Sequence, residues 1–451
     1  MATTLYWITN DLRLSDNPAL LRASQSDALI CVYCVDQRWF LPHRYHISSM
    51  GLHRWRYLNE SLAELGRSLR DRGQYLDIKY GYTEQQLSQL IDRHPVNRLV
   101  CSRQNGSDER RILSYLQSRF PNLQIVQVDN NTLYELEQID TELSTLKQGF
   151  AAFRQRVQNL PPQLPIQTPD SLPRPPLRVV ESSPLPAWLP TLPPLAANGG
   201  QRPGADNSAD LAFPPGESAA SSHARRYFES ELPMTYKETR NALSGRDNSS
   251  RLSAALSQGC LSVRRAAHML QRHEEQNGVT ASSQHLLQEL LWREYFHWLA
   301  LAQHDSLYRL KGLRKQAPHA CLHPERYQKW CHGNTPWPLV NACMRELKAT
   351  GYLSNRGRQI AASCFVNELG MDWRYGAAWF EHQLVDYDVA SNWGNWQYIA
   401  GVGVDPRGGR HFNIEKQAAQ FDPHGDYVRH WAPEQPNTQL DSVDAADWPV
   451  S

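Results

Sequence analysis

The chain has no apolar run approaching the roughly 20 residues that a membrane helix needs. Its opening, MATTLYWITNDLRLSD, has neither a charged stub before an apolar stretch nor a basic amphipathic leader. No membrane partner is expected, and a cytoplasmic location is. Cysteine is sparse, 8 in 451 residues, so in a cytoplasmic chain reduced thiols are expected rather than a disulfide frame. Cys31 and Cys34 form a C-x-x-C, but inside ALICVYCVD, a β-branched and aromatic run of buried-strand type, where a redox pair would want a turn and a helix start. His319, Cys321, His323, Cys331 and His332 crowd together without the spacing of a zinc ligand pair, and no metal is assigned. No charge dominates, with 47 Lys and Arg against 46 Asp and Glu. No G-x-G-x-x-G follows the first strand-like run, so the dinucleotide fingerprint is missing.

What is present has a clear order. At roughly 150 residues per domain, 451 residues make two or three. Over residues 1–135 the runs LYWIT, ALICVYCVD, YLDIKY, NRLVCS and LQIVQVD alternate with helix-sized stretches, which predicts an α/β domain with a Rossmann-like parallel sheet. The longest helix expected there runs from His46 to Asp71, on the recurrence of Leu58, Leu62, Leu65 and Leu69. Residues 136–222 read as a proline-rich connection, an extended tether from Leu160 to Ala220. Residues 223–431 carry five amphipathic helical patterns and read as an all-helical domain, with Asp372 as a cap and Gly351 and Gly370 as stops. The tail, 432–451, is acidic and expected to be disordered.

Charge and tryptophan are unevenly spread. Residues 1–222 balance 22 basic against 22 acidic groups, residues 223–431 hold 25 against 20, and the tail none against 4, so the middle block permits a local positive patch. Of 14 tryptophans, ten follow residue 222. That is either a very aromatic core or a domain that handles π-systems such as bases or a flavin ring.

The densest chemistry lies in residues 354–398, from SNRGRQ to DYDVASNWGNWQY. Asp386 and Asp388 need cationic or hydrogen-bond partners in so apolar a setting, and Arg358 is at hand. Asn392, Trp393, Gly394, Asn395 and Trp396 then combine small residues, amides and indoles as a planar heteroaromatic ligand would require, and on composition alone a buried Arg–Asp pair between packed helices is the alternative reading. The motifs WITNDLRLSDNPAL, YKETRN, SSRLS, ELLWREYF, MRELKATGYLSNRGRQ, DYDVASNWGNWQY and FNIEKQ together resemble the photolyase/cryptochrome family, from Leu5 to Trp431. SNRGRQ, SNWGNWQY and FNI-x-KQ are similar to its DASH-type cryptochromes.

The resemblance implies an antenna domain joined to a helical domain holding FAD. Tyr236 and the turn Ser249, Ser250, Arg251, Leu252 and Ser253 match cofactor contacts, and Arg293 is placed with them. Hydroxyls and backbone N–H groups at a helix start suit a pyrophosphate. Arg358 and Asp386 match the ion pair over the flavin, Asp388 its carbonyl edge, and Asn392 the position facing N5. Glu289 and Trp292, three apart on one helical face, match groups that hydrogen-bond and stack on a damaged pyrimidine pair. Asn355, Arg356, Gln359, Tyr398 and Gln417 fall at other DNA-contact positions. Gln359 and Tyr398 stand where many duplex-repairing relatives have Met and Trp, which implies a preference for single strands.

The implied reaction is repair of cyclobutane pyrimidine dimers by light-excited reduced FAD, by a monomer acting on DNA. Trp396 and Trp373 match the proximal and middle tryptophans of the chain that photoreduces oxidised flavin. The outer position departs from the pattern: no Trp lies between Pro318 and Lys329, leaving Tyr327 or Trp330 as substitutes. The DASH-type antenna, methenyltetrahydrofolate, usually has a glutamate where this chain reads Gln104, and Glu109 is expected to be a helix-surface residue. The alternative function is a blue-light receptor that signals through a partner.

Overall fold

The computed structural model describes residues 2–176, 186, 189, 213–405, 408–434, 436 and 439–441. The apolar runs of the first domain form β1 (Thr3–Ile8), β2 (Ala28–Asp36), β3 (Leu76–Gly81), β4 (Val96–Ser102) and β5 (Gln124–Val128). All neighbours pair in parallel, in the order β3-β2-β1-β4-β5. β1 is buried along its whole length and β2 nearly so, as continuous apolar strands are when helices cover both faces. The connecting helices are α1 (Pro18–Ala23), α2 (Leu52–Arg70), α3 (Thr83–Arg93) and α4 (Ser107–Arg119). The chain winds one way from β1 to β3 and the other from β4 to β5, so a crevice opens beyond the carboxyl ends of β1 and β4, where such sheets bind ligands.

Two expectations for this half are corrected. The helix placed at His46–Asp71 begins only at Leu52; His46 itself takes a left-handed φ of 59°, which ends regular structure before it. Residues 160–176 are extended but are not a free tether. Ile166 donates its N–H to Asp16, Leu29 donates to the Arg174 carbonyl, and Leu172 is buried. Most of the proline-rich remainder lies outside the described residues. Earlier in the connection sit α5 (Leu143–Leu146) and α6 (Phe150–Val157), and α7 (Glu217–Phe228) starts inside it. Cys31 and Cys34 are buried and face opposite sides of the sheet, in separate apolar clusters, so the pair cannot act together.

The second half is helical: α8 (Leu232–Thr239), α9 (Ser253–Ser257), α10 (Val263–Asn277), α11 (Ala281–Gln303), α12 (Pro324–His332), α13 (Pro338–Thr350), α14 (Asn355–Ser363), α15 (Trp373–Gln383), α16 (Val389–Ile399), α17 (Ile414–Phe421) and α18 (Asp426–Trp431). Asp372 caps α15 by accepting the Arg374 N–H, and Gly351 closes α13 in the left-handed region. The described part of the tail is held: Asp441 pairs with Arg326, and Glu434 with Arg345. Residues 442–451 lie outside the described residues.

α13 and α18 are tied by a hydrogen bond from the Tyr427 hydroxyl to the buried Glu346 carboxyl. Burial pushes Glu346 up to about 7, against the opposing pull of that bond, from about 4.3 in an unfolded chain. A raised carboxyl binds its proton more tightly when folded, so its contribution is full below about pH 4 and is lost as the pH rises through about 7. Denaturation in urea should show the protein losing stability between pH 5 and 8, and Glu346→Gln should remove about 1–3 kcal/mol of that loss. An unchanged slope in the variant would mean that the folded carboxyl is already ionised at pH 5.

Candidate functional site

A cavity of about 610 Å³ opens among α8, α9, α11, α14, α15 and α16. Every site residue expected from the sequence lines it except Trp373, Arg356 and Gln417. Its central charge pair is Arg358 with Asp386, Nη2 to Oδ2 at 2.7 Å. Arg358 also donates Nε–H to the Leu353 carbonyl, and Asp386 holds it above its ordinary range despite burial. Asp386 Oδ1 is buried with no partner among the described residues. It is an acceptor that needs a donor from whatever fills the cavity.

Asp388 caps α16, its Oδ1 accepting the Ser391 N–H at 2.7 Å, while Oδ2 takes His297 Nε2–H at 3.0 Å. Burial opposes its ionisation, but His297 and Arg293 outweigh it and hold the carboxyl well below the usual range. Asn392, one turn into α16, donates to the Ala377 carbonyl at 3.0 Å. Gly376 on α15 faces the Trp396 indole, where a Cβ would stand 2.3 Å from the ring. Only glycine lets α15 and α16 close there.

The opposite wall is the turn before α9. Arg251 takes a φ of 52°, donates Nη2–H to the Gly245 carbonyl and lies 4.3 Å over the Tyr352 ring, leaving Nε and Nη1 buried without partners among the described residues. Ser249, Ser250, Leu252 and Ser253 flank it, and Tyr236 closes the side. Arg293, partly buried, donates Nη1–H to the Asn131 carbonyl at 2.7 Å and thereby ties the cavity to the first domain.

At the mouth, Glu289 is paired with Arg240 at 2.9 Å and lies 3.4 Å from His285. Burial raises the carboxyl and Arg240 opposes it. Trp292 is backed by Phe150 of α6, rings parallel with centroids 3.8 Å apart, and meets Tyr398 edge-on at 6.1 Å. The Tyr398 hydroxyl is held by Arg410. Gln359 keeps a buried Oε1 with no partner among the described residues, and Asn355 is exposed on the rim. Arg356 and Gln417 stand outside the cavity as a pair, Nη1 to Oε1 at 3.3 Å, with Arg356 stacked over Phe421. Trp373 is buried behind it, its indole N–H on the Leu310 carbonyl. Arg240, His285 and Arg410 were missed from the sequence. The first stands in the quoted YKETRN and the second one turn before Glu289, so both carried a signal; Arg410 carried none.

A second cavity, about 810 Å³, lies at the crevice beyond β1 and β4 and reaches the helical domain. Gln104 is in its wall but spends its amide on Thr9 and the Ser102 carbonyl. Glu109, expected on a helix surface, is corrected: its carboxylate folds back over Gly106, where a Cβ would lie 2.1 Å from Oε2, and burial raises its pKa. It lines the cavity.

Residues 286–449 match the FAD binding domain of DNA photolyase, and residues 4–174 match the DNA photolyase domain. A cryptochrome DASH from Idiomarina loihiensis is 44% identical, covering 99% of this chain and 96% of its own. One from Vibrio parahaemolyticus is 43% identical, covering 99% and 97%. The crystal structure of a Synechocystis cryptochrome superposes with a TM-score of 0.87 at 35% identity, over 98% of this chain and 90% of that one. A bacterial class III photolyase from Agrobacterium tumefaciens gives 0.79 at 28%, over 96% and 87%. The chain belongs to the photolyase/cryptochrome family, among its DASH-type cryptochromes. FAD is the cofactor of its helical domain, and the cavity fits it: the unpartnered Asp386 oxygen suits an imide N–H, and the free Arg251 nitrogens among serine hydroxyls suit a pyrophosphate.

Asp386→Ala leaves the part-buried Arg358 cation without its carboxylate partner and removes the acceptor that faces into the cavity. The purified variant should carry less than a tenth of the wild-type flavin by absorbance, and full retention would show that Asp386 does not touch the cofactor.

Proposed function

We propose that the protein repairs cyclobutane pyrimidine dimers under blue light, preferentially in single-stranded DNA. The observation that carries this is the sharing of one cavity: Glu289 and Trp292 open onto the space that Asp386, Asp388 and Asn392 line. Bound reduced FAD supplies a photoexcitable donor of one electron, returned when the dimer ring has split. Everything else is positioning by the chain. Trp292, braced by Phe150, offers an indole face to a pyrimidine pair. Glu289 offers a carboxyl, and its raised pKa favours the protonated form that can donate to a carbonyl gaining charge. Arg240 is positioned to leave Glu289 for a flanking phosphate, and Arg356 with Gln417 extends that contact along the strand. Asn355, Gln359 and Tyr398 complete the lesion wall.

Single-strand preference follows from that wall. Tyr398, tethered by Arg410, and the amide of Gln359 give polar edges where a flipped lesion needs apolar stacking. Extruding a base pair from a duplex costs a few kcal/mol that a single strand does not charge. Thymine recovery from a dimer-containing oligonucleotide, light against dark, should be at least ten times faster for single strands, and Glu289→Ala should lower it about tenfold or more with the yellow cofactor retained. Equal repair of duplex would refute the preference. A flavin that is bound and photoreducible but repairs neither substrate would make the protein a light receptor.

The second cavity suits an antenna. Glu109 there can take the place of the missing glutamate and accept from the amino-pyrimidine edge of a folate, methenyltetrahydrofolate being the DASH-type chromophore. Glu109→Gln should then cut co-purifying folate severalfold, with FAD content unchanged; unchanged folate would remove Glu109 from that role.

A further inference from the structure

The wall between the two cavities contains one polar pair that serves both. His297 on α11 is 4% exposed and lines the second cavity, while its partner Asp388 lines that cavity and the cofactor cavity alike. The Asp388 carboxylate is held ionised and is occupied at both oxygens, by the Ser391 N–H and by His297 Nε2 at 3.0 Å. Nε2 must therefore carry the ring proton, and in a neutral imidazole that leaves Nδ1 a bare acceptor. Nδ1 is buried and has no partner among the described residues.

Two occupants can complete that nitrogen. An N–H or O–H of a ligand in the second cavity can donate to Nδ1, which keeps the ring neutral and strengthens its bond to Asp388. A proton can also settle there, turning the ring into an imidazolium beside the carboxylate. The charged groups that act on His297 are Asp388, from α16, and Arg293, one turn back on α11; Asp305 and Arg309 stand in the wall of the same cavity. Burial and Arg293 hold the ring neutral against the pull of Asp388. Negative charge added to the cofactor cavity tips that balance toward the imidazolium, because it arrives on the Asp388 side of the ring.

We infer that His297 couples the two cavities: Nδ1 accepts an N–H from a planar heterocycle bound in the second one, and that contact opposes reduction of the cofactor by occupying the nitrogen that would take up the compensating proton. The inference rests on FAD in the helical domain and on the antenna reading of the second cavity. Without the ligand, one electron from a one-electron reductant enters the cofactor and one proton from the buffer passes to Nδ1, while the Nε2–H bond to Asp388 stays intact. The reductant is oxidised by one electron, and the charge balances across the wall. With the ligand in place the proton has no seat, so reduction is less favoured. Reciprocity then requires the reduced protein to hold the ligand less tightly. The link is one of charge and hydrogen bonding, separate from any passage of excitation energy.

Equilibrium dialysis in the dark measures the coupling, with methenyltetrahydrofolate as the probe and the FAD-loaded protein either oxidised or reduced by a viologen dye. The reduced protein should bind the folate about tenfold more weakly, which corresponds to a potential lowered by about 59 mV in a one-electron couple when folate is bound. His297→Gln keeps an amide N–H for Asp388 but has no basic nitrogen, and its two dissociation constants should agree within about twofold. Should that variant lose its flavin, the wild type decides alone. Its potential should rise more steeply without folate than with it as the pH falls from about 8 to about 6, by the equivalent of one proton. Equal folate binding in both redox states, or a tenfold difference that survives in His297→Gln, would overturn the inference. A protein that keeps its FAD but binds no folate would overturn the antenna reading, and the coupling with it.

Discussion

The arrangement of both cavities depends on one buried polar junction. Arg13, 1% exposed, follows β1 and donates to the carbonyls of Asp16, Asn130 and Gly259, so a single guanidinium spans the sheet domain and the helical domain. Asp16 in turn pairs with Arg264 and accepts from Ser262, at the start of α10. Buried charges are tolerated only when their hydrogen bonds are complete, and removing one partner typically costs about 3–5 kcal/mol. Here the partners come from both domains, so the charges can be satisfied only in one relative orientation. Gly259 meets the same requirement sterically, since a Cβ there would lie 2.0 Å from the Asn10 carbonyl. Glu294 repeats the device on α11, accepting from the backbone N–H groups of Leu133 and Tyr134.

With the domains locked, the wall between the cavities is thin and charged. Arg293, Asp388, Tyr387 and Ser257 border both spaces, and His297 holds Asp388 from the second one. An antenna in one cavity would therefore lie against the groups that set the charge around the cofactor in the other. The helical domain's tryptophans are divided in the same way. One set gathers at the floor of the cofactor cavity, another at the edge of the second. The aromatic excess after residue 222 thus serves as core and as ligand wall together, because an indole buries much area and still presents a π-face.

The fold was legible because both signals in it are local. Buried parallel strands write continuous apolar runs, and amphipathic helices write a 3.6-residue period, so the α/β half, the helical half and the Asp372 cap could be read from the chain. The cofactor cavity was legible only through motif resemblance: Tyr236, Arg251, Glu289, Arg358 and Asp386 are far apart in sequence, and no periodicity joins them. The misreadings have equally local causes. A proline-rich segment looks like a tether whether it floats or is stitched down by Ile166 and Leu172, and a glutamate on α4 looks like a surface residue unless the glycine before it lets it fold inward.

By itself, then, the sequence determined the domain types, the caps and the kinds of side chain available to a flavin and a damaged base. Tertiary structure alone decided that Arg240 and His285 flank Glu289, that Phe150 from the connecting segment backs Trp292, and that Trp330 of α12 packs against Trp396. Pattern along a chain reports which face of an element is apolar. Which two faces meet is decided by packing density and by the need to complete every buried hydrogen bond, and neither is a property of a single segment.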